Sequence, residues 1–499
     1  MRLTDLLDTA PEATVVFGDE RLTYAGLRAR VERRAAGLRA WGVRPRDKVA
    51  IHLRNRVEWL EVWFATAWLD ADLVPLNTRF TDSEVRYLLD HSGARFLVWG
   101  PSKDGDDPAR GATLAPASMK VATDLAALVG DDPTPNAESD DAAMVQYTSG
   151  STAFPKGAVL ANAGLVRNAH GLGIAWQMSR ADTVLVMNPL FHCGGSVFAY
   201  LAAMTHGANV VLVDRWRVAD AFPLMRAEGV TAFPGIDAAV RDLLSYARAT
   251  GETVPSLRLV STAADGALLG AVAEVLGCEI SNVFGLTESS PNVCVGDLRD
   301  PLALRVAKIG RPQEGLEVSI RDAETRAPLG TGEVGVITVR GWSLMRGYLN
   351  DAEATAATID ADGFLWTGDL GALDADGYLT FHGRAKQMLK SGGENVAIEE
   401  VEAALRTHPA VADAVVVPVP HERFGEVGYA YVRLDEGATA TPAEVLAHAR
   451  TNLAAFKLPK HVEIAPDLPR TGSGKLDRRA LAERAVQRIS VASTQTSPS

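Results

Sequence analysis

Ser149-Gly150-Ser151-Thr152-Ala153-Phe154-Pro155-Lys156-Gly157 follows an apolar run, 142–145, that reads as a buried strand. Ser149, Ser151 and Thr152 offer hydroxyl donors, and Lys156 adds a point charge. Gly150 and Gly157 let backbone N–H groups close in on an anion. Such a loop suits a polyphosphate. It is not a P-loop, because no Gly-Lys-Ser/Thr opens a following helix. Taken alone, the same residues also read as a Ser/Gly surface turn after a strand.

Outward from this loop, strand-like and helix-like runs alternate. Residues 48–53, 71–76 and 95–99 read as strands, with amphipathic helices over 57–68 and 83–91. The alternation predicts a parallel sheet covered by helices. Residues 101–141 collect Gly, Asp, Pro and Ser and read as a surface excursion. Strands return at 184–187, 209–213, 230–233 and 257–261, each followed by a helical stretch. The runs 317–320 and 334–339 suggest antiparallel β structure. Beyond Gly383 a shorter α/β pattern begins, with helices over 399–405 and 442–453 and strands over 412–417 and 428–434. The Ser/Thr-rich tail 490–499 reads as disordered.

Composition narrows the field. The 499 residues suggest about three domains or subdomains, and 47% hydrophobic content is ample for a large core. A net charge of −12 without a Lys/Arg run argues against nucleic-acid binding. Cys193, Cys278 and Cys294 form an odd, sparse set with no CxxC, so a disulfide framework or zinc site is not expected, and a reducing cytoplasm is. The chain has no apolar stretch of membrane-spanning length and no secretory h-region, so neither a membrane span nor a leader is expected.

Further constellations carry possible chemistry. In Val283-Phe284-Gly285-Leu286-Thr287-Glu288, Thr287 can donate to a phosphate, Glu288 can hold Mg²⁺ against it, and Phe284 can stack on a base. A helix start with an acidic first turn explains the same letters. Asp369, in Trp366-Thr367-Gly368-Asp369, suits ribose hydroxyls or a turn. Gly383-Arg384-Ala385-Lys386 and Ser391-Gly392-Gly393-Glu394-Asn395 follow. Near the end, Gly472-Ser473-Gly474 makes a loop that presents Lys475, a candidate for neutralising charge on a reacting oxygen.

Read in order, these motifs resemble the adenylate-forming superfamily of acyl- and aryl-CoA synthetases, peptide-synthetase adenylation domains and luciferases. The carriers are Tyr147 to Thr152 with Pro155-Lys156-Gly157, Phe284 to Glu288, Thr367-Gly368-Asp369, Gly383-Arg384 and Gly472 to Lys475. The resemblance runs from about residue 10 to 485. It implies an α/β fold: a large N-terminal domain of two α/β subdomains plus a distorted β-barrel, then a hinge and a small C-terminal α+β domain. The boundaries fall at 1–383, 384–489 and a tail at 490–499. It also implies an AMP-forming acid–CoA ligase that uses ATP, Mg²⁺ and coenzyme A on a small monocarboxylic acid, fatty or aryl.

Residue by residue, the resemblance gives the β- and γ-phosphates to Thr148, Ser149, Gly150, Ser151, Thr152 and Lys156. Thr287 takes the α-phosphate, and Glu288 with Thr152 the Mg²⁺. Adenine lies among Ala263, Ala264, Asp265, Asn282, Phe284 and Gly285. Asp369 binds the ribose, with Arg384 in support; Lys475 bridges carboxylate and α-phosphate, and Lys386 is the hinge. Ser391-Gly392-Gly393 lines a pantetheine tunnel, which favours CoA as acceptor. His192 polarises the substrate carboxylate, or is a packed, hydrogen-bonded histidine, and the apolar helix 193–201 that it opens lines the acyl pocket. A homodimer is common in such a fold.

The chain departs from the pattern in places. Ala153-Phe154 stands where relatives place Gly and a polar residue, and Asp265 where they place Pro. Asp265 either meets a polar group of the substrate or caps the next helix. Two rival functions remain: adenylation with a different acceptor or activated group, as in a diazotase acting on an amino-aryl acid, and a non-catalytic nucleotide binder.

Overall fold

The apolar runs become the inner strands of two sheets. In this computed structural model a six-stranded sheet has the order Lys120–Ala122, Phe96–Trp99, Lys48–His52, Asp72–Pro75, Ala143–Thr148 and Lys156–Ala161. Its first five strands run parallel, and the last turns back antiparallel. Every residue of Phe96–Trp99 and Asp72–Pro75 is buried, as expected of parallel strands covered on both faces. The structure describes residues 1–80, 82–100, 108–132, 134–137, 142–148, 155–384, 388–391, 394–421, 424–451, 453, 455, 457–470 and 476–495.

The second sheet has nine strands. Their order is Arg311–Pro312, Asn292–Val295, Glu279–Gly285, Leu259–Thr262, Ala232–Pro234, Thr183–Val186, Asn209–Leu212, Thr14–Phe17 and Glu20–Thr23. The strands from Glu279–Gly285 to Thr14–Phe17 are parallel, with antiparallel partners at both edges. Strand side chains alternate between faces, and the cores record it. Val49 and Ile51 join Val184 and Val186 in one core between the sheets, which also takes helices Tyr24–Trp41 and Val57–Trp68. Ala50 faces outward to helix Asp82–Ser92, and Leu185 to helices Asp237–Thr250 and Gly266–Leu276.

Strands Leu316–Arg321, Gly335–Gly341, Leu365–Leu373 and Leu379–Arg384 form a four-stranded sheet. A five-stranded sheet follows, built on the long hairpin Val411–His421 and Gly425–Leu434. Separate cores cover its faces, one with helices Ile398–Arg406 and Pro442–Ala449, the other with helix Arg478–Gln495. The chain divides into two compact units: 1–319 with 338–367 and 373–380, and 320–337 with 368–372 and 381–499. Among the described residues no helix is long and apolar enough to cross a membrane.

Two segments differ from the sequence reading. The excursion at 101–141 contains helix Pro108–Leu114 and strand Lys120–Ala122, which adds to the sheet beside Phe96–Trp99. The strand is too short to show a period. The last helix carries on through 490–495, where composition predicts disorder, because Leu481 and Ala485 anchor it in the core and Ile489 packs against them.

Candidate active site

The Ser/Thr/Gly loop spans a hairpin, not a strand-to-helix turn. Strands Ala143–Thr148 and Lys156–Ala161 pair antiparallel, with Tyr147 opposite Gly157 and Thr148 opposite Lys156. Thr148 and Lys156 are thus fixed on either side of the loop's root. Ser149, Gly150, Ser151, Thr152, Ala153 and Phe154 lie outside the described residues. The outer edge of Lys156–Ala161 is occupied by 346–349. Arg346 N donates to Val159 O at 2.8 Å, Val159 N to Gly347 O at 3.0 Å, and Leu349 N to Gly157 O at 2.7 Å.

That backbone pairing delivers Tyr348 to Glu288. Glu288 sits in a 3₁₀ turn, Thr287–Ser289, just after strand Glu279–Gly285, and is 9% exposed. Its Oε1 accepts from the Tyr348 hydroxyl at 2.9 Å and from the Thr148 hydroxyl at 3.3 Å. Lys156 Nζ lies 5.3 Å from the centre of the Tyr348 ring. Burial, and then the Glu288 carboxylate, push the Tyr348 phenol well above its usual range, so it stays a donor at physiological pH. Thr148, Lys156, Glu288 and Tyr348 therefore form one group. Sequence reading supplied the first three; Tyr348 sits in an ordinary Gly-Tyr turn and gives no signal of its own.

The group suits one kind of metal. Among the described residues no three acidic, His or Cys side chains converge on a point. A single carboxylate beside hydroxyls fits Mg²⁺, which keeps waters and takes one or two carboxylates plus phosphate oxygens. Thr287 is half-buried next to Glu288. The register shifts between Phe284 and Gly285, and a Cβ on Gly285 would lie 1.8 Å from Pro291 O, so only glycine allows this turn. Phe284 is 6% exposed, which leaves only a sliver of its ring to meet a ligand.

On the same strand, Asn282 is 4% exposed and bonds the backbone of Ala264, just past the neighbouring strand, in both directions. Ala263 is exposed and Ala264 half-buried beside it. Asp265 Oδ1 accepts from Leu268 N at 2.9 Å and caps helix Gly266–Leu276. Its other oxygen lies 3.3 Å from Arg241, which also holds Asp237 at 2.7 Å. Of the two readings of Asp265, the cap is the one seen.

His192 lies exposed at the start of a helix that runs Cys193–Gly195, Ser196–Leu201 and Ala202–Met204, with a π-helical middle. Its Nδ1 accepts from Gly194 N at 3.0 Å, which assigns the proton to Nε2. Buried amides hold the turn before it. Gln146 donates to Phe191 O at 2.7 Å, and Asn188 to Gly194 O at 3.1 Å and Pro234 O at 3.2 Å. Burial raises the Cys193 thiol to about 12 and the Cys294 thiol further, and Cys278 also rises to about 12, so none is a nucleophile.

In the second unit Asp369 is 4% exposed and follows Gly368, whose φ is +73°. Arg384 ends strand Leu379–Arg384. Ser391 pairs with Glu394 in the hairpin of Met388–Ser391 and Glu394–Ala397. Lys386, Gly392, Gly393 and Lys475 lie outside the described residues.

Comparison with known proteins gives these residues a setting. Residues 5–349 match the AMP-binding enzyme family, and residues 400–475 match the AMP-binding enzyme C-terminal domain. A feruloyl-CoA synthase from Amycolatopsis sp is 35% identical, over 94% of this chain and 95% of its own length. An oxalate–CoA ligase from Arabidopsis thaliana is 31% identical, over 95% and 96%. Among solved structures, o-succinylbenzoate CoA synthetase from Bacillus subtilis, in complex with its acyl-adenylate intermediate, superposes with a TM-score of 0.85. It is 27% identical over 96% of this chain and 97% of that one.

Proposed function

The chain belongs to the family of AMP-binding enzymes, and from that premise we propose that it is an AMP-forming acid–CoA ligase for a monocarboxylic fatty or aryl acid. The reaction has two halves. A carboxylate oxygen bonds to the α-phosphorus of ATP as pyrophosphate leaves; the CoA thiolate then bonds to the acyl carbon as AMP leaves. A carboxylate is a poor electrophile until it carries a good leaving group. Two anions meet only where cations and donors offset their charge.

The observation that carries this reading is the placement of Glu288 beside Thr148, at the root of the hairpin loop. Glu288 would hold Mg²⁺ together with the phosphates, and the ion would neutralise phosphate charge. Lys156 supplies a fixed positive charge on the other strand of the hairpin, and Thr287 a hydroxyl for the α-phosphate. Asn282 fixes the backbone of Ala264, which with Ala263 would border adenine. His192, its proton on Nε2, offers an N–H to the acid's carboxylate. The roles of Asp369 on the ribose, Arg384 beside it, Ser391-Gly392-Gly393 on pantetheine, Lys386 as hinge and Lys475 between the reacting oxygens rest on the motif resemblance.

The environment of the acid supports a single carboxylate. Ile236, two residues beyond strand Ala232–Pro234 and at the N-cap of helix Asp237–Thr250, is 53% exposed and offers an apolar wall. Arg241, the neighbouring cation, is already shared between Asp237 and Asp265. CoA as acceptor is supported by the named relatives, and a reducing cytoplasm by three buried free cysteines.

Incubation with ATP, Mg²⁺, CoA and a panel of acids tests the proposal. AMP and an acyl thioester should appear together. AMP without thioester points to another acceptor, and no acid-dependent pyrophosphate points to a non-catalytic binder. Lys475→Ala should abolish acid-dependent pyrophosphate release, and an unchanged rate removes its assigned role.

A further inference from the structure

We propose that Tyr348 is a positioning residue that sets the Glu288 carboxylate with its hydroxyl and seats Lys156 on its ring, so that one side chain aligns the metal-binding and phosphate-binding charges. This rests on the reading of Glu288 as the Mg²⁺ contact.

A carboxylate that is 9% exposed needs donors. Among the described residues two reach it, and both land on Oε1, which leaves the second oxygen to other partners. The Tyr348 bond, at 2.9 Å, is the shorter; Thr148 stands at 3.3 Å. Both bonds reach the same oxygen, and the phenol's, the shorter of the two, holds the carboxylate more tightly. The backbone that carries the phenol is held in place. Tyr348 is bridged to Ala158, and its N–H donates to Thr355 Oγ1 at 2.9 Å. The Lys156 ammonium, 5.3 Å from the ring centre, is within cation–π range. The aromatic face therefore orders a side chain that otherwise loses rotamer entropy when it binds a phosphate.

The hydroxyl and the ring have separable duties. Tyr348→Phe keeps the ring under Lys156 and removes only the donor to Glu288. It should weaken Mg²⁺ binding to the ATP complex by about tenfold, in line with losing a hydrogen bond to a charged group. ATP binding in EDTA should not change. Tyr348→Leu removes both contacts and should also weaken ATP binding in EDTA. Calorimetry without acid or CoA reads both affinities, and melting temperatures establish that each variant is folded. On a Glu288→Gln background, Tyr348→Phe should have no further effect.

If Tyr348→Phe leaves Mg²⁺ affinity unchanged while Glu288→Gln lowers it, the proposal is overturned and the metal reading stands. An equal loss of ATP affinity with and without metal in Tyr348→Phe also overturns it. If Glu288→Gln itself changes nothing, the metal reading fails, and this proposal with it.

Discussion

Asn282 and Ala264 bond each other twice: Asn282 Nδ2 donates to Ala264 O at 3.0 Å, and Ala264 N donates to Asn282 Oδ1 at 3.3 Å. A primary amide imitates the backbone of a neighbouring strand here, extending the pairing of Leu259–Thr262 with Glu279–Gly285 by one rung. Asn282→Ala frees the backbone at 263–264 from that hold. The expected result is a raised KM for ATP and a stability loss of about 1–2 kcal/mol. Steady-state kinetics and denaturant unfolding check the two parts, and an unchanged KM removes Asn282 from the nucleotide site.

Asp265 makes the opposite case, a carboxylate near the site that serves the fold. Because it caps helix Gly266–Leu276 and pairs with Arg241, Asp265→Ala should cost about 1 kcal/mol in stability. The ranking of acids in a substrate panel should stay the same. Asp265→Ser, which keeps a capping oxygen, should recover most of the stability. A reordered panel instead makes Asp265 a substrate contact.

His206 sets an acid limit. Its ring stacks on His170 at 4.8 Å, and a Cβ on Gly173 would lie 2.2 Å from it. Burial, and then His170, lower the His206 pKa to about 4, while the Ala202 backbone and Asp182 act the other way. His170 is lowered too, chiefly by burial. An unfolded histidine titrates near 6.5, so between about 4 and 6.5 the unfolded chain binds more protons. The stability from neutral histidine is complete above pH ~6.5 and is lost as pH falls through ~4. Melting temperatures should therefore fall on acidification by less in His206→Gln than in the parent. Parallel curves would remove His206 from the acid response.

The thiols should be silent. Cys193, Cys278 and Cys294 are all buried with raised pKa values, and the thiolate is the reactive form. A colorimetric thiol reagent should titrate none of them in the native protein and all of them in denaturant. Activity should survive the native treatment. Rapid native labelling would show that a cysteine reaches solvent.

The sequence shows its architecture where burial writes a continuous apolar run. The helix read over 57–68 is Val57–Trp68 in the structure, and the run 48–53 is strand Lys48–His52. Helix Tyr24–Trp41 escapes such a reading because its inner face includes Arg34, which is 4% exposed. That guanidinium pairs with Glu61 at 2.6 Å and also bonds the carbonyls of Leu125 and Leu128, so a residue that looks like surface lies inside. The site divides in the same way. Thr148, Lys156 and Glu288 stand in recognisable motifs. Tyr348 reaches Glu288 from sixty residues away through backbone pairing to an edge strand, and no local pattern encodes that.

That pairing between 346–349 and Lys156–Ala161 also constrains how the gene can change. Side chains alternate faces along a paired segment, so displacing it by one residue turns every side chain over. One inserted codon just before Tyr348 would present a neighbour to Glu288, however well the amino acids themselves were chosen. The letters of this short stretch can change with the pairing intact, but its length cannot change without turning Tyr348 away from Glu288.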